Sequence, residues 1–216
     1  MLYALTEHVS LMAGLSTVIG VWVIITALRE LITRARKGRG GSFGLPRAFI
    51  GMTLAHLGVG IFILGVTLTG AYNVEKDLRM DLGTTVTIAG YTFTFDGVTE
   101  VAGPNYIANQ GLMHVTRDGQ PIATLHPQKR TYRVQTLPMT EAPIDLGLFR
   151  DLYVSLGEPV DNGAWSVRVY YKPFIRWIWA GALIMALGGA IAATDRRYFV
   201  TVRSTKLAAR FAAAKA

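Results

Sequence analysis

Three stretches of the chain carry no charged side chain for long enough to cross a bilayer. Val9–Leu28 runs for 20 residues between His8 and Arg29, residues 48–74 for 27, and Trp177–Thr194 for 18. A spanning helix needs about 20 predominantly apolar residues, so the pattern predicts helices within 1–32, 48–74 and 173–194. Each run mixes large aliphatic residues with glycine and other small ones, which suits helices packed on other helices. The first run is read as a retained helix rather than a signal peptide. Glu7 and His8 flank it where a signal peptide carries basic residues, and it exceeds the usual apolar core.

Between the second and third runs the period changes to two. In TTVTIAGYTFTFDGV, Val86 and Ile88 alternate with threonines, as do Tyr91, Phe93 and Phe95, with a break at Ala89-Gly90. Such alternation predicts half-buried strands. Asp118-Gly119 lies between two further strand-like runs and is a hairpin turn signal. Thr131–Thr136, Leu152–Leu156 and Ser166–Tyr171 complete six or seven predicted strands, the last following the turn-like Asp161-Asn162-Gly163. Residues 75–172 are therefore expected to form an all-β module, a sandwich or a partly open barrel. The fold class expected is an integral membrane protein with three transmembrane helices and this module inserted between helices 2 and 3.

Composition agrees with a membrane protein: 216 residues, 51% hydrophobic and 17% charged, with a mean hydropathy of +0.33. Charge adds an orientation. The net charge of +8 falls almost wholly on two short segments, the link 33–47 with its flank and the tail 195–216, while 75–172 holds nine basic and eleven acidic residues. Basic flanks favour the cytoplasm, so link and tail are expected inside, and the N-terminus and β-module outside. The basic tail is read as topogenic charge beside anionic lipid rather than as a nucleic-acid site. No cysteine is present, which excludes thiol redox chemistry and thiolate metal sites. A first helix entering from outside after an eight-residue leader is expected of a chain taken from within a longer polytopic protein.

The candidate chemistry is His56, an imidazole inside the longest uncharged run, about 12 Å along the helix from Arg47. Thr53, His56, Gly60 and Thr67 share one helical face, which must meet protein or a cavity, because an imidazole facing lipid leaves its N–H unsatisfied. Gly51, Gly58 and Gly65 form a second, seven-spaced face open to a close neighbour. Four roles are compatible with His56: an interhelical hydrogen bond, a proton relay, a metal ligand, or an axial haem ligand with Gly60 leaving room for a flat ring. The helix itself supplies no other ionisable group for a relay and no second ligand at i±3 or i±4.

Several longer motifs resemble a known family. RMDLGTTVTIAGYTFTFDGV, GPNY at 103–106, LHPQKRTY at 125–132, MTEAPIDLGLFRDLYVSLGE at 139–158 and the run from Trp165 to Tyr198 together resemble the C-terminal part of CcmF. That family forms the haem lyase of the System I cytochrome c maturation pathway. The resemblance covers roughly residues 48–198, departing at Pro143, where alanine is more usual, and at Gln128, where glutamate is common.

The resemblance implies that His56, within LAHLG, is one of two axial ligands (haem iron) of a structural b-type haem shared with a partner chain. It implies a bacterial inner-membrane location and a C-terminal subunit or fragment supporting covalent attachment of haem to apocytochrome c. The implied partners are the N-terminal part of the same lyase, a haem chaperone, apocytochrome c and membrane lipid. The family's tryptophan-rich external segment has no counterpart among Trp22, Trp165, Trp177 and Trp179. The lyase site is therefore expected on the N-terminal partner, no catalytic residue is assigned here, and the chain is not expected to be competent alone. His114 and His126 are read as ordinary strand or turn residues, and Trp177 and Trp179 as an interfacial belt. The competing readings are a cofactor-free membrane scaffold of an assembly complex and a transporter component, the latter disfavoured by the lack of intramembrane carboxylates.

Overall fold

The computed structural model describes residues 11–37, 45–134 and 137–195. His8, residues 38–44 of the basic link and the tail beyond Asp195 lie outside the described residues, as do the last two positions of the predicted strand 131–136. The chain divides into two compact units, one drawn from the helices and the other from residues 68–176.

The helical unit contains α1 (Leu11–Lys37), most of α2 (Arg47–Tyr72) and most of α3 (Ile175–Ala193). All three are long and apolar enough to cross a membrane. Helix α1 runs on through Arg34 and Arg36, so part of the basic link rides on its last turns. The seven-residue glycine spacing is matched across the α2–α3 seam. A Cβ added at Gly58 would stand 2.6 Å from Met185 N, one at Gly65 2.7 Å from Ile178 N, and one at Gly188 2.5 Å from Ala55 N. Partner numbers fall on α3 as they rise on α2, so the helices are antiparallel and touch backbone to backbone. Small residues at such a seam let two helices gain dispersion contacts that lipid cannot replace. Beyond α3, Asp195 Oδ2 accepts the Ala48 N–H at 2.8 Å in the first turn of α2.

The β unit is a sandwich of ten strands, more than the six or seven expected. One sheet has the order β1 (Val74–Met80), β10 (Trp165–Pro173), β9 (Arg150–Pro159), β8 (Ile144–Leu146). The other has β2 (Thr85–Ile88), β3 (Tyr91–Ala102), β4 (Tyr106–Arg117), β6 (Gln128–Tyr132) and β7 (Pro138–Glu141), with β5 (Gln120–Leu125) also on β4. Alternate residues of both sheets meet in one core, including Phe93, Phe95 and Met113 from one and Leu152, Leu156 and Val167 from the other. That shared filling makes the module a sandwich. The Asp118-Gly119 turn has φ of 50° and 77°, so both residues are left-handed, the backbone that a two-residue hairpin with matched twist requires.

Strand β1 begins two residues after α2, so Val74 opens the sheet rather than closing the helix. At the exit, Pro173 is the last residue of β10, paired with Arg150, and Phe174 turns the chain at a φ of 55° into α3.

Candidate functional site

His56 sits on the third turn of α2, and its Nδ1 donates to the Met52 carbonyl oxygen at 2.7 Å. A carbonyl only accepts, so Nδ1 carries the proton and Nε2 keeps its lone pair. The hydrogen bond lies within one helix and is not the interhelical bond that the sequence left open. It holds the ring while Nε2 stays available, the arrangement by which an outer hydrogen bond orients a metal-ligating imidazole.

The expected shared face divides in three dimensions. Thr53 is buried, with its Oγ1 donating to Phe49 O at 2.9 Å. Gly60 is buried against α1, where an added Cβ would meet Ile24 at 2.5 Å and Gly20 O at 2.9 Å. The space beside Gly60 is thus filled by α1, correcting the expectation that it leaves room for a flat ring. His56 itself is exposed, at the edge of a shallow recess of about 200 Å³ lined by Thr26, Ala27 and Glu30 of α1 and Met52 and Thr53 of α2. Glu30 is the residue that sequence reasoning passed over. It lies near His56 only because α1 packs on α2, and its one visible signal was an isolated acid four residues before Arg34, with which it pairs at 2.7 Å.

A haem needs a flat apolar slot and one or two axial donors. This recess offers a single oriented imidazole and is below the roughly 300–1,000 Å³ typical of sites that enclose a ligand. Among the described residues no group of three His, Asp or Glu side chains could hold a metal ion. The described residues here thus offer one oriented imidazole beside a shallow wall, less than a haem site requires.

In the sandwich, His114 is taken up by neighbours: its Nε2 is 3.1 Å from Asp96 Oδ2 and its Nδ1 3.1 Å from Thr124 Oγ1. His126 is exposed between β5 and β6, at a recess of about 430 Å³ that Asp96 also lines. Neither is brought into a catalytic constellation. A polar cluster centres on buried Tyr91, whose Oη accepts from Arg117 Nη1 at 2.9 Å and from Arg150 Nε at 3.2 Å. Both guanidinium carbons stand 5.0 Å from the ring centroid. Burial, with Tyr91 close by, pushes the Tyr171 hydroxyl above its ordinary value.

Residues 71–173, which contain all ten strands, match the family model for the CcmF C-terminal β-sandwich. The cytochrome c-type biogenesis protein CcmF of Pseudomonas aeruginosa is 52% identical over 188 residues, covering 86% of this chain. The Escherichia coli protein of the same name is 45% identical over 197 residues, covering 91%. The chain belongs to the CcmF family. It corresponds to the C-terminal part of CcmF and spans 29% and 30% of the length of those two relatives. A solved structure of the cytochrome c haem lyase CcmF shares the fold at a TM-score of 0.65 and 18% identity, covering 85% of this chain and 33% of that one. The CcmF sandwich match does not reach His56, which lies outside residues 71–173.

Proposed function

We propose that this CcmF segment supplies one axial ligand, His56 Nε2, to a b-type haem whose second ligand and remaining walls come from the N-terminal part of the lyase. The observation that carries this reading is the bond from His56 Nδ1 to Met52 O, which leaves an oriented, exposed Nε2 at a recess too small to enclose the group. A haem held there would supply a one-electron couple within the hydrocarbon. The chain's own residues bind and orient: Met52 O fixes the tautomer, and Thr26, Ala27 and Thr53 provide one side of the slot.

The names of its relatives support a place in cytochrome c biogenesis. In this reading the complete lyase takes haem from a haem chaperone and attaches it to apocytochrome c, with the lyase site on the N-terminal part. The protein lies in the bacterial inner membrane. Basic residues at Arg34, Arg36 and Arg47 and along the tail support a cytoplasmic C-terminus with the β-sandwich in the periplasm.

The test is a reduced haemochrome spectrum of the chain copurified with its N-terminal partner, wild type beside His56→Ala. Loss of the b-type signal from an assembled complex is expected. Unchanged haem in the variant would leave the chain a cofactor-free scaffold.

A further inference from the structure

Within the β unit, the end nearest the spanning helices is fixed twice. Helix α2 finishes there, where Thr69 Oγ1 donates to the Pro173 carbonyl at 2.7 Å, and α3 begins two residues after that proline. Both helices carry runs apolar enough to cross a membrane, so a bilayer spanned by them would have its surface near this point.

The hairpin between β8 and β9 reaches that level and passes it. Its last ladder pair is Arg150 with Pro173, and the next backbone contact is Phe174 N donating to Phe149 O at 2.9 Å. Phe149 packs edge-on against Phe174, with ring centroids 6.1 Å apart. At about 3.4 Å per residue, Phe149 and Leu148 extend roughly 3–7 Å beyond the end of the sheet, alongside the start of α3.

The side chains at this tip are apolar and more than half exposed: Leu146 59%, Leu148 66% and Phe149 57%. Cations stand immediately behind the apolar tip. Arg150 pairs with Asp145, and Arg176 Nε lies 3.3 Å from Asp151 Oδ1. Lys172 Nζ lies over the rings of Tyr153 and Tyr170 at 5.7 and 5.6 Å. Apolar residues at the tip with tyrosines and cations one layer back is the order of chemistries met on leaving the acyl region through the headgroups.

We propose that the β8–β9 hairpin tip, Leu148 and Phe149, inserts into the lipid leaflet on the sandwich side of the membrane and ties the sandwich to the bilayer surface. The occupant of this patch is lipid, because the tip lies where the chain's own spanning helices enter the bilayer.

The chain has no cysteine, so a single nitroxide can be placed in it at Leu148→Cys, with Glu100→Cys as a water-facing control. In vesicles of phosphatidylethanolamine and phosphatidylglycerol, the relaxation of each label by dissolved oxygen and by a water-soluble nickel chelate is compared. At position 148 oxygen is expected to dominate and nickel access to be lost, with the reverse at position 100. Nickel access at 148 equal to that at 100 would place the tip in water and overturn the proposal. Shielding of 148 from both reagents would mean that protein covers it, and would overturn it equally. Phe149→Cys provides the same reading should the first variant fail to fold.

Discussion

Asp195 Oδ2 accepts the backbone N–H of Ala48 at 2.8 Å, so a carboxylate just past the end of α3 caps the start of α2. The first N–H groups of a helix have no partner within it, and a negative charge there also meets the positive end of the helix dipole. Asp195→Ala is expected to cost about 0.5–2 kcal/mol, with Asp195→Asn recovering most of it. Thermal unfolding in detergent, followed by helical circular dichroism, reads the difference.

Two neighbouring glycines on α3 should respond oppositely to the same methyl group. At Gly188 a Cβ would stand 2.5 Å from Ala55 N, whereas at Gly189 nothing lies within 4 Å. Gly188→Ala must push the helices apart and should destabilise by about 1–3 kcal/mol. Gly189→Ala should be neutral or stabilising by up to about 1 kcal/mol. Equal melting temperatures for the two variants would refute the backbone-to-backbone seam.

His56→Gln separates ligation from folding. The side chain is exposed and its hydrogen bond is local to α2, so unfolding of the chain by itself should shift by no more than about 0.5 kcal/mol. A larger loss would show that the imidazole holds the helices together.

Tyr91→Phe removes one oxygen that accepts from two arginines. The Arg150 side chain is only 17% exposed, so its Nε loses a partner where little water can replace it. A cost of about 1–3 kcal/mol is expected, measurable as a lowered urea midpoint of the sheet signal. Arg117 is more than half exposed and can turn to solvent, so Arg117→Lys should cost less.

Tyr171 sets an alkaline limit. Its hydroxyl titrates higher in the folded state than in the unfolded chain, chiefly through burial and then through Tyr91. The unfolded state therefore releases its proton first as the pH rises. The stability this group contributes is complete below about pH 10 and is lost as the pH climbs through the folded value. Tyr171→Phe should flatten that part of the profile, as thermal melts between neutral and strongly alkaline pH would show.

Local period carried much of this structure. The uncharged runs marked three helices, and the seven-spaced glycines on α2 found their counterpart on α3 as Gly181 and Gly188. Threonine alternation marked β2 and the start of β3, and Asp118-Gly119 marked its turn. Strand β1 was hidden because Glu75, Lys76 and Asp77 mask its alternation. An edge strand tolerates such charges, and here Lys76 Nζ reaches Thr87 O at 3.3 Å while Arg168 grips Asp77 across the ladder. Strands β7 and β8 were too short to show a period. At the candidate site His56 was conspicuous in one dimension. The arrival of Glu30 and the filling of the Gly60 face by Ile24 depend on how α1 crosses α2, which no spacing on either helix encodes.

The first and last strands of the sandwich lie side by side, Val74 opposite Tyr171, with their helix-bound ends at the same end of the sheet. Tension that separates α2 from α3 would therefore load this pair in the manner of a zipper, one rung at a time from Val74 inward. It would not shear all seven rungs together. Strand β1 is an edge strand with a single neighbour, so it is the part that would peel. The early rungs would part at little cost to the sandwich, but the last, Met80 opposite Trp165, carries a side chain fully buried in the core, so complete peeling would also unpack it.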